Sequence, residues 1–178
     1  MKIIIVRHAQ TDANFDGIMQ GRVNNLLNDS GRRQCDKLRE KLSSFKIDYC
    51  YMSPLVRCVE TAFILIGDRA PMIRDDRLIE RSLGNLEGKK REVYDINKYW
   101  DYELNSNDEG VETVQSIIER VSDFLEYIKD KYPSDTSILI VTHGAPYRVL
   151  RLLLNNTKLT GNLFDSNVNN LDYEEFEI

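Results

Sequence analysis

IIIVRHAQTDAN, residues 3 to 14, runs four β-branched residues straight into an arginine and a histidine. An apolar run without polar alternation is the pattern of a strand covered on both faces, as in a parallel sheet. SILIVTHGAP, residues 137 to 146, repeats the arrangement with the second of the chain's two histidines. Ile3–Val6, Asp48–Met52 and Ile138–Thr142 are expected as strands, with helical segments between and after them. Ser30 is the expected N-cap of a helix turning Cys35, Leu38 and Leu42 inward, and Pro54 suits the first turn of one running to about Ile66. Val114, Ile117, Ile118, Val121, Phe124, Leu125 and Ile128 recur at helical spacing. A last helix is expected after Pro146, and Leu171–Ile178 reads as a closing edge strand. Strands alternating with helices predict an α/β domain with a largely parallel sheet, whose ligands sit beyond the strands' carboxyl ends. Both histidines, and Ser53 after the middle strand, occupy that kind of position.

The chain has 178 residues, 30% of them charged, and a formal net charge of −5. That length suits one domain, and the acidic balance argues against a nucleic-acid partner, which would call for a basic stripe. A few arginines can still build a local pocket for an anionic small molecule. Cys35, Cys50 and Cys58 form no CxxC pair, so neither a disulfide framework nor a zinc site is expected, and reduced thiols in a cytoplasm are the simpler reading. The short apolar run after Met1-Lys2 is too brief for a signal peptide or a membrane span.

Taken singly, a histidine beside a strand is most often structural. Here every histidine in the chain falls at a strand's carboxyl end. Arg7 beside His8 adds a fork of donors that fits phosphate or carboxylate oxygens, and an unpaired charge directly after a buried strand is costly.

RHAQT at 7–11, Asn14, QG at 20–21, SPLVRCVETA at 53–62, ER at 80–81, EG at 87–88, GVET at 110–113 and THG at 142–144 together resemble the histidine phosphatase superfamily. That superfamily includes the cofactor-dependent phosphoglycerate mutases and many small phosphatases. The resemblance implies a three-layer α/β/α sandwich on a mostly parallel mixed sheet, one domain over 1–178 with residues about 81–112 as a small substrate cap. It implies hydrolysis of a small phosphorylated metabolite through a phosphohistidine, with no cofactor and no metal. His8 matches the nucleophile. Arg7, Arg57 and His143 match the residues that grip the phosphoryl oxygens, where fixed cationic donors offset transition-state charge. Glu80 matches the proton donor to the leaving oxygen. Asn14, Gln20, Gly21, Arg81 and Gly144 match lesser phosphate and substrate contacts.

Ala9 departs from the family's usual glycine, and Asn24, Leu26 and Asn28 replace a common turn. Glu60, Thr61, Glu87 and Glu112 are read as supports for helix and loops, and KKR at 89–91 as a solvated helix face. The short segment between Glu80 and Glu112 favours water as the final acceptor, hence a phosphatase. A mutase-type transfer and a phosphoryl carrier or phospholigand-binding regulator are the alternatives.

Overall fold

The computed structural model describes residues 1–178. In chain order the elements are β1 (Lys2–Arg7), α1 (Asp12–Phe15), α2 (Asp29–Leu42), β2 (Tyr49–Met52), α3 (Val56–Ile66), β3 (Met72–Arg74), α4 (Ile96–Tyr99), α5 (Val114–Lys131), β4 (Ser137–Thr142), α6 (Gly144–Leu154) and β5 (Tyr173–Glu177), with single 3-10 turns between. The sheet order is β3-β2-β4-β1-β5. Four strands run parallel, and β5 pairs antiparallel to β1, with Ile3 opposite Phe176. The expected mixed sheet is therefore present.

Why the apolar runs are continuous is clear from the two faces. Ile3, Ile5, Ile138 and Ile140 point to the side covered by α5 and α6, with Val121, Phe124 and Leu150. Ile4, Val6, Leu139 and Val141 point to the side covered by α2 and α3, with Leu38, Leu42, Ala62 and Leu65. Alternate side chains serve opposite layers, so no position on β1 or β4 can be polar without a partner. Three layers result, and the ends of β1, β2 and β4 open at one rim.

Helix boundaries differ from expectation for local reasons. The α2 cap is Asn28, not Ser30: its side chain accepts the Gly31 amide at 2.8 Å, while its own amide is pinned to Gln10 O. Pro54 precedes α3 rather than opening it, because Ser53 Oγ takes the Leu55 amide and the helix starts only at Val56. Asn24 then accepts the Val56 amide at 2.7 Å, so one of the departing residues caps α3 from another loop. α6 begins at Gly144, with Pro146 inside its first turn. β3 is an additional edge strand.

The 89–91 stretch is not a helix face. Ile18 bridges Lys90 in antiparallel fashion, Met19 N donates to Lys89 O at 2.9 Å, and Gly88 N donates to Met19 O at 2.8 Å. Met19, Leu86, Tyr99 and Val111 form a small separate core that holds residues 81–112 over the rim. No helix of the chain is long and apolar enough to cross a membrane.

Candidate active site

β1 and β4 end side by side, so His8 and His143 meet with ring centroids 5.1 Å apart. The pairing continues one step past β1, since His8 N donates to Thr142 O at 2.8 Å. His8 Nδ1 lies 2.7 Å from Ala9 O. A carbonyl only accepts, so Nδ1 carries the hydrogen and Nε2 keeps its lone pair. Ala9 is held in turn: its amide donates to Thr61 Oγ1 at 3.1 Å, and that hydroxyl donates to Arg57 O at 2.6 Å. Burial, then Arg57 and Arg7, hold the His8 pKa well below its ordinary 6.5, so the ring is neutral and nucleophilic near pH 7.

His8 lines a cavity of about 730 Å³, together with Arg7, Arg57 and Glu80. Arg7 Nη1 donates to Val168 O at 2.7 Å, while Arg7 Nε is buried with no partner. Burial pushes the Arg7 pKa down to about 10, so it stays cationic. An orphan donor on a charged group in a cavity wall is a seat for an anion's oxygen. Arg57, 1% exposed, donates to Val23 O and Gly21 O at 2.7 and 2.8 Å, and its Nε to His143 Nδ1 at 3.1 Å. Glu80 sits on the first turn of α6. Its Oε1 accepts the Arg81 and Ala145 amides at 2.9 and 3.1 Å, and its Oε2 the Gly144 amide at 3.1 Å.

Several residues expected at the site have polar groups already bonded within the protein. Although it approaches His8, His143 is wholly buried and does not line the cavity. Its Nδ1 accepts from Arg57, and its Nε2 lies 2.7 Å from Ser53 Oγ. Both nitrogens are engaged within the protein, and the first of these contacts helps to position Arg57. Arg81 borders the cavity, but its Nε, Nη1 and Nη2 donate to Glu112 O, Tyr94 Oη and Tyr99 O. It clamps the 81–112 segment. Gly21 has φ +49°, and a Cβ there would overlap the Glu87 side chain; its role is its carbonyl, which holds Arg57. The Gly144 amide is taken by Glu80. Asn14 and Gln20 line the cavity with their side-chain oxygens bonded inside the protein, leaving their amide nitrogens as donors.

Other lining residues escaped the sequence. Arg148 lies one turn along α6 from Gly144, a spacing that marks the same helix face. Arg91 belongs to the stretch taken for a solvated face. Asn170, from the loop before β5, donates to His8 O at 2.9 Å, and no local pattern announces it. Glu87 and Glu112 orient loops as expected, accepting the Arg22 and Leu83 amides and the Ser82 amide respectively. No cluster of His, Cys, Asp and Glu is arranged to hold a metal ion.

The histidine phosphatase superfamily (branch 1) model matches residues 3–177. A probable phosphatase of Schizosaccharomyces pombe is 33% identical over 156 residues, which cover 85% of this chain and 72% of that one. Phosphoserine phosphatase 1 of Hydrogenobacter thermophilus is 31% identical over 157 residues, covering 84% and 74%. The solved structure of Bacillus stearothermophilus YhfR superposes with a TM-score of 0.86 at 26% identity, covering 98% of this chain and 89% of that one. With the paired histidines at the ends of β1 and β4 and the family's model matched along nearly its whole length, the chain belongs to the histidine phosphatase superfamily.

Proposed function

We propose that the protein hydrolyses the phosphomonoester of a small metabolite, with His8 Nε2 as the nucleophile. The observation that carries this is the Nδ1 bond to Ala9 O, which leaves the Nε2 lone pair without a protein partner in a residue lining the cavity. Nε2 attacks phosphorus as the bond to the leaving oxygen breaks. Arg7 Nε and the free donors of Arg57, Asn14 and Gln20 take up the charge spreading over the phosphoryl oxygens. Glu80, the only acidic residue lining the cavity, gives a proton to the departing alkoxide. It then takes one from the water that attacks the phosphohistidine, and inorganic phosphate leaves. Residues 81–112 serve as the substrate cap in this reading, and the three buried thiols fit a reducing cytoplasm.

Quenching turnover in base and mapping the adduct by mass spectrometry tests the proposal, because a phosphoramidate survives base and not acid. Phosphate on His8 with continuing release is the expected result. Phosphate on Ser53 or Cys58 would overturn it. Release that stops near one phosphate per chain would mean a carrier, and interconversion of phosphoglycerates without net release a mutase.

A further inference from the structure

Arg57 reaches the cavity from α3, yet its guanidinium is aimed by a surface turn. Its Nη1 and Nη2 donate to Val23 O and Gly21 O at 2.7 and 2.8 Å, and its Nε to His143 Nδ1 at 3.1 Å. A guanidinium has five N–H groups, so one on each terminal nitrogen is left for a phosphoryl oxygen. Where those two point depends on where the carbonyls of the turn stand. Arg22 and Val23 are exposed, and Val23 N closes the turn on Gln20 O at 2.9 Å. Gly21, at φ +49°, adds no stiffness, because glycine has other conformations open to it.

The orientation of the Gly21 carbonyl is fixed from residue 87. Glu87 Oε1 accepts the Arg22 amide at 3.0 Å and the Leu83 amide at 3.1 Å. The Arg22 N–H and the Gly21 C=O belong to one planar peptide unit and point opposite ways. Pinning the N–H to Glu87 therefore aims the C=O at Arg57. Position 21 has to lack a side chain for this, since a Cβ there would overlap the Glu87 carboxylate.

We infer that Glu87 is a positioning residue for phosphoryl transfer, setting the two free N–H groups of Arg57 through the peptide that joins Gly21 to Arg22. This rests on the phosphatase reading, in which those groups meet the transferring phosphoryl. Glu87 is not among the residues lining the cavity and touches no substrate. A misplacement of about 1 Å at such a contact is worth roughly a hundredfold in rate. Because Glu87 stands in the 81–112 segment, the same bond ties that segment to the phosphoryl pocket.

A double-mutant cycle on nitrophenyl phosphate tests it, since a leaving group that needs no proton silences Glu80. Glu87→Ala should lower kcat roughly tenfold to a hundredfold, with KM changing less. Arg57→Ala removes the group being positioned, and in that background Glu87→Ala should cost no more than about twofold. Glu87→Gln should restore most of the rate, because its amide oxygen can accept both N–H groups and the other carboxylate oxygen makes no hydrogen bond to oppose an NH2. Calorimetric binding of inorganic phosphate to the same chains should repeat the pattern without turnover. If the alanine variant does not fold, Glu87→Asp takes its place, keeping the charge and withdrawing the acceptor by one methylene. Equal losses in both backgrounds would overturn the inference and leave Glu87 a holder of loops. A glutamine as damaging as alanine would overturn it too, by assigning the effect to charge. A wild-type chain that turns over no phosphomonoester would remove the phosphatase reading, and the phosphate-binding cycle would still decide the role of Glu87.

Discussion

Thr61 looks like a helix residue in the sequence, yet it stands two hydrogen bonds from the His8 ring. It receives the Ala9 amide, and Ala9 supplies the carbonyl that fixes the His8 tautomer. Thr61→Val keeps the shape and strands a buried N–H, which costs about 1–3 kcal/mol. Urea denaturation should show that loss, and kcat should fall while KM changes less, because the ring loses its orientation rather than the substrate its contacts. An unchanged kcat would make Thr61 structural only. Glu80→Gln is less innocent than its size suggests. Both carboxylate oxygens accept backbone amides, so one face of a glutamine would set N–H against N–H. Some stability is lost for that reason alone. The acid role is therefore read from a ratio: alkyl phosphates should lose roughly a hundredfold to ten-thousandfold in kcat/KM, and nitrophenyl phosphate, whose leaving group needs no proton, much less. Equal losses would assign Glu80 to positioning.

Among the elements, the 81–112 segment contains one close backbone approach that tolerates no side chain. Gly84 has φ +52°, and a Cβ there would come within 2.2 Å of Glu109 O, backbone that cannot swing aside. Gly84→Ala should part the two turns, raise KM severalfold and expose the segment to limited proteolysis while the sheet stays folded; an unchanged cleavage pattern would count against this. The segment also shows where sequence reading succeeds and stops. β1 and β4 were legible because burial on both faces leaves a continuous apolar run, and α5 because its apolar positions repeat every turn. β3 has three residues at the sheet's edge and no period to read. Asn28 and Ser30 are both good caps, and only the contact of Asn28 with Gln10 decides between them. In the site, Arg7, His8, Arg57 and Glu80 come together as their motifs suggest. Arg91 is exposed as expected, but its place in the cavity wall was not legible because it depends on pairing with residues 17–19, far away in sequence. The contacts of His143 with Arg57 and Ser53 were not legible because the partners of its two nitrogens belong to other elements.

For the molecule as a whole, the two buried histidines link stability to acidity. Burial and Arg57 depress both far below 6.5. Below that pH the unfolded chain binds protons that the folded one refuses, so stability falls as pH drops, by up to about 1.4 kcal/mol per pH unit for each ring. Urea midpoints at pH 7, 6 and 5 should decline in that order, and His8→Asn should flatten the slope; a level profile would contradict the burial of two neutral rings. The strand order has a consequence of another kind. β1 sits between β4 and β5, so Lys2 pairs with Ser137 on one side and Glu177 on the other. On a ribosome adding about 5–20 residues per second, the Ile3–Val6 run emerges on the order of ten seconds before either neighbour exists. It spends that time as a sticky ribbon with both edges bare, the sort of segment chaperones hold. The long loop closures also place refolding on the slow side, in milliseconds to seconds. His8 gains its fixed place only when residue 142 arrives to receive its amide, so the catalytic rim takes shape long after the histidine itself has been made.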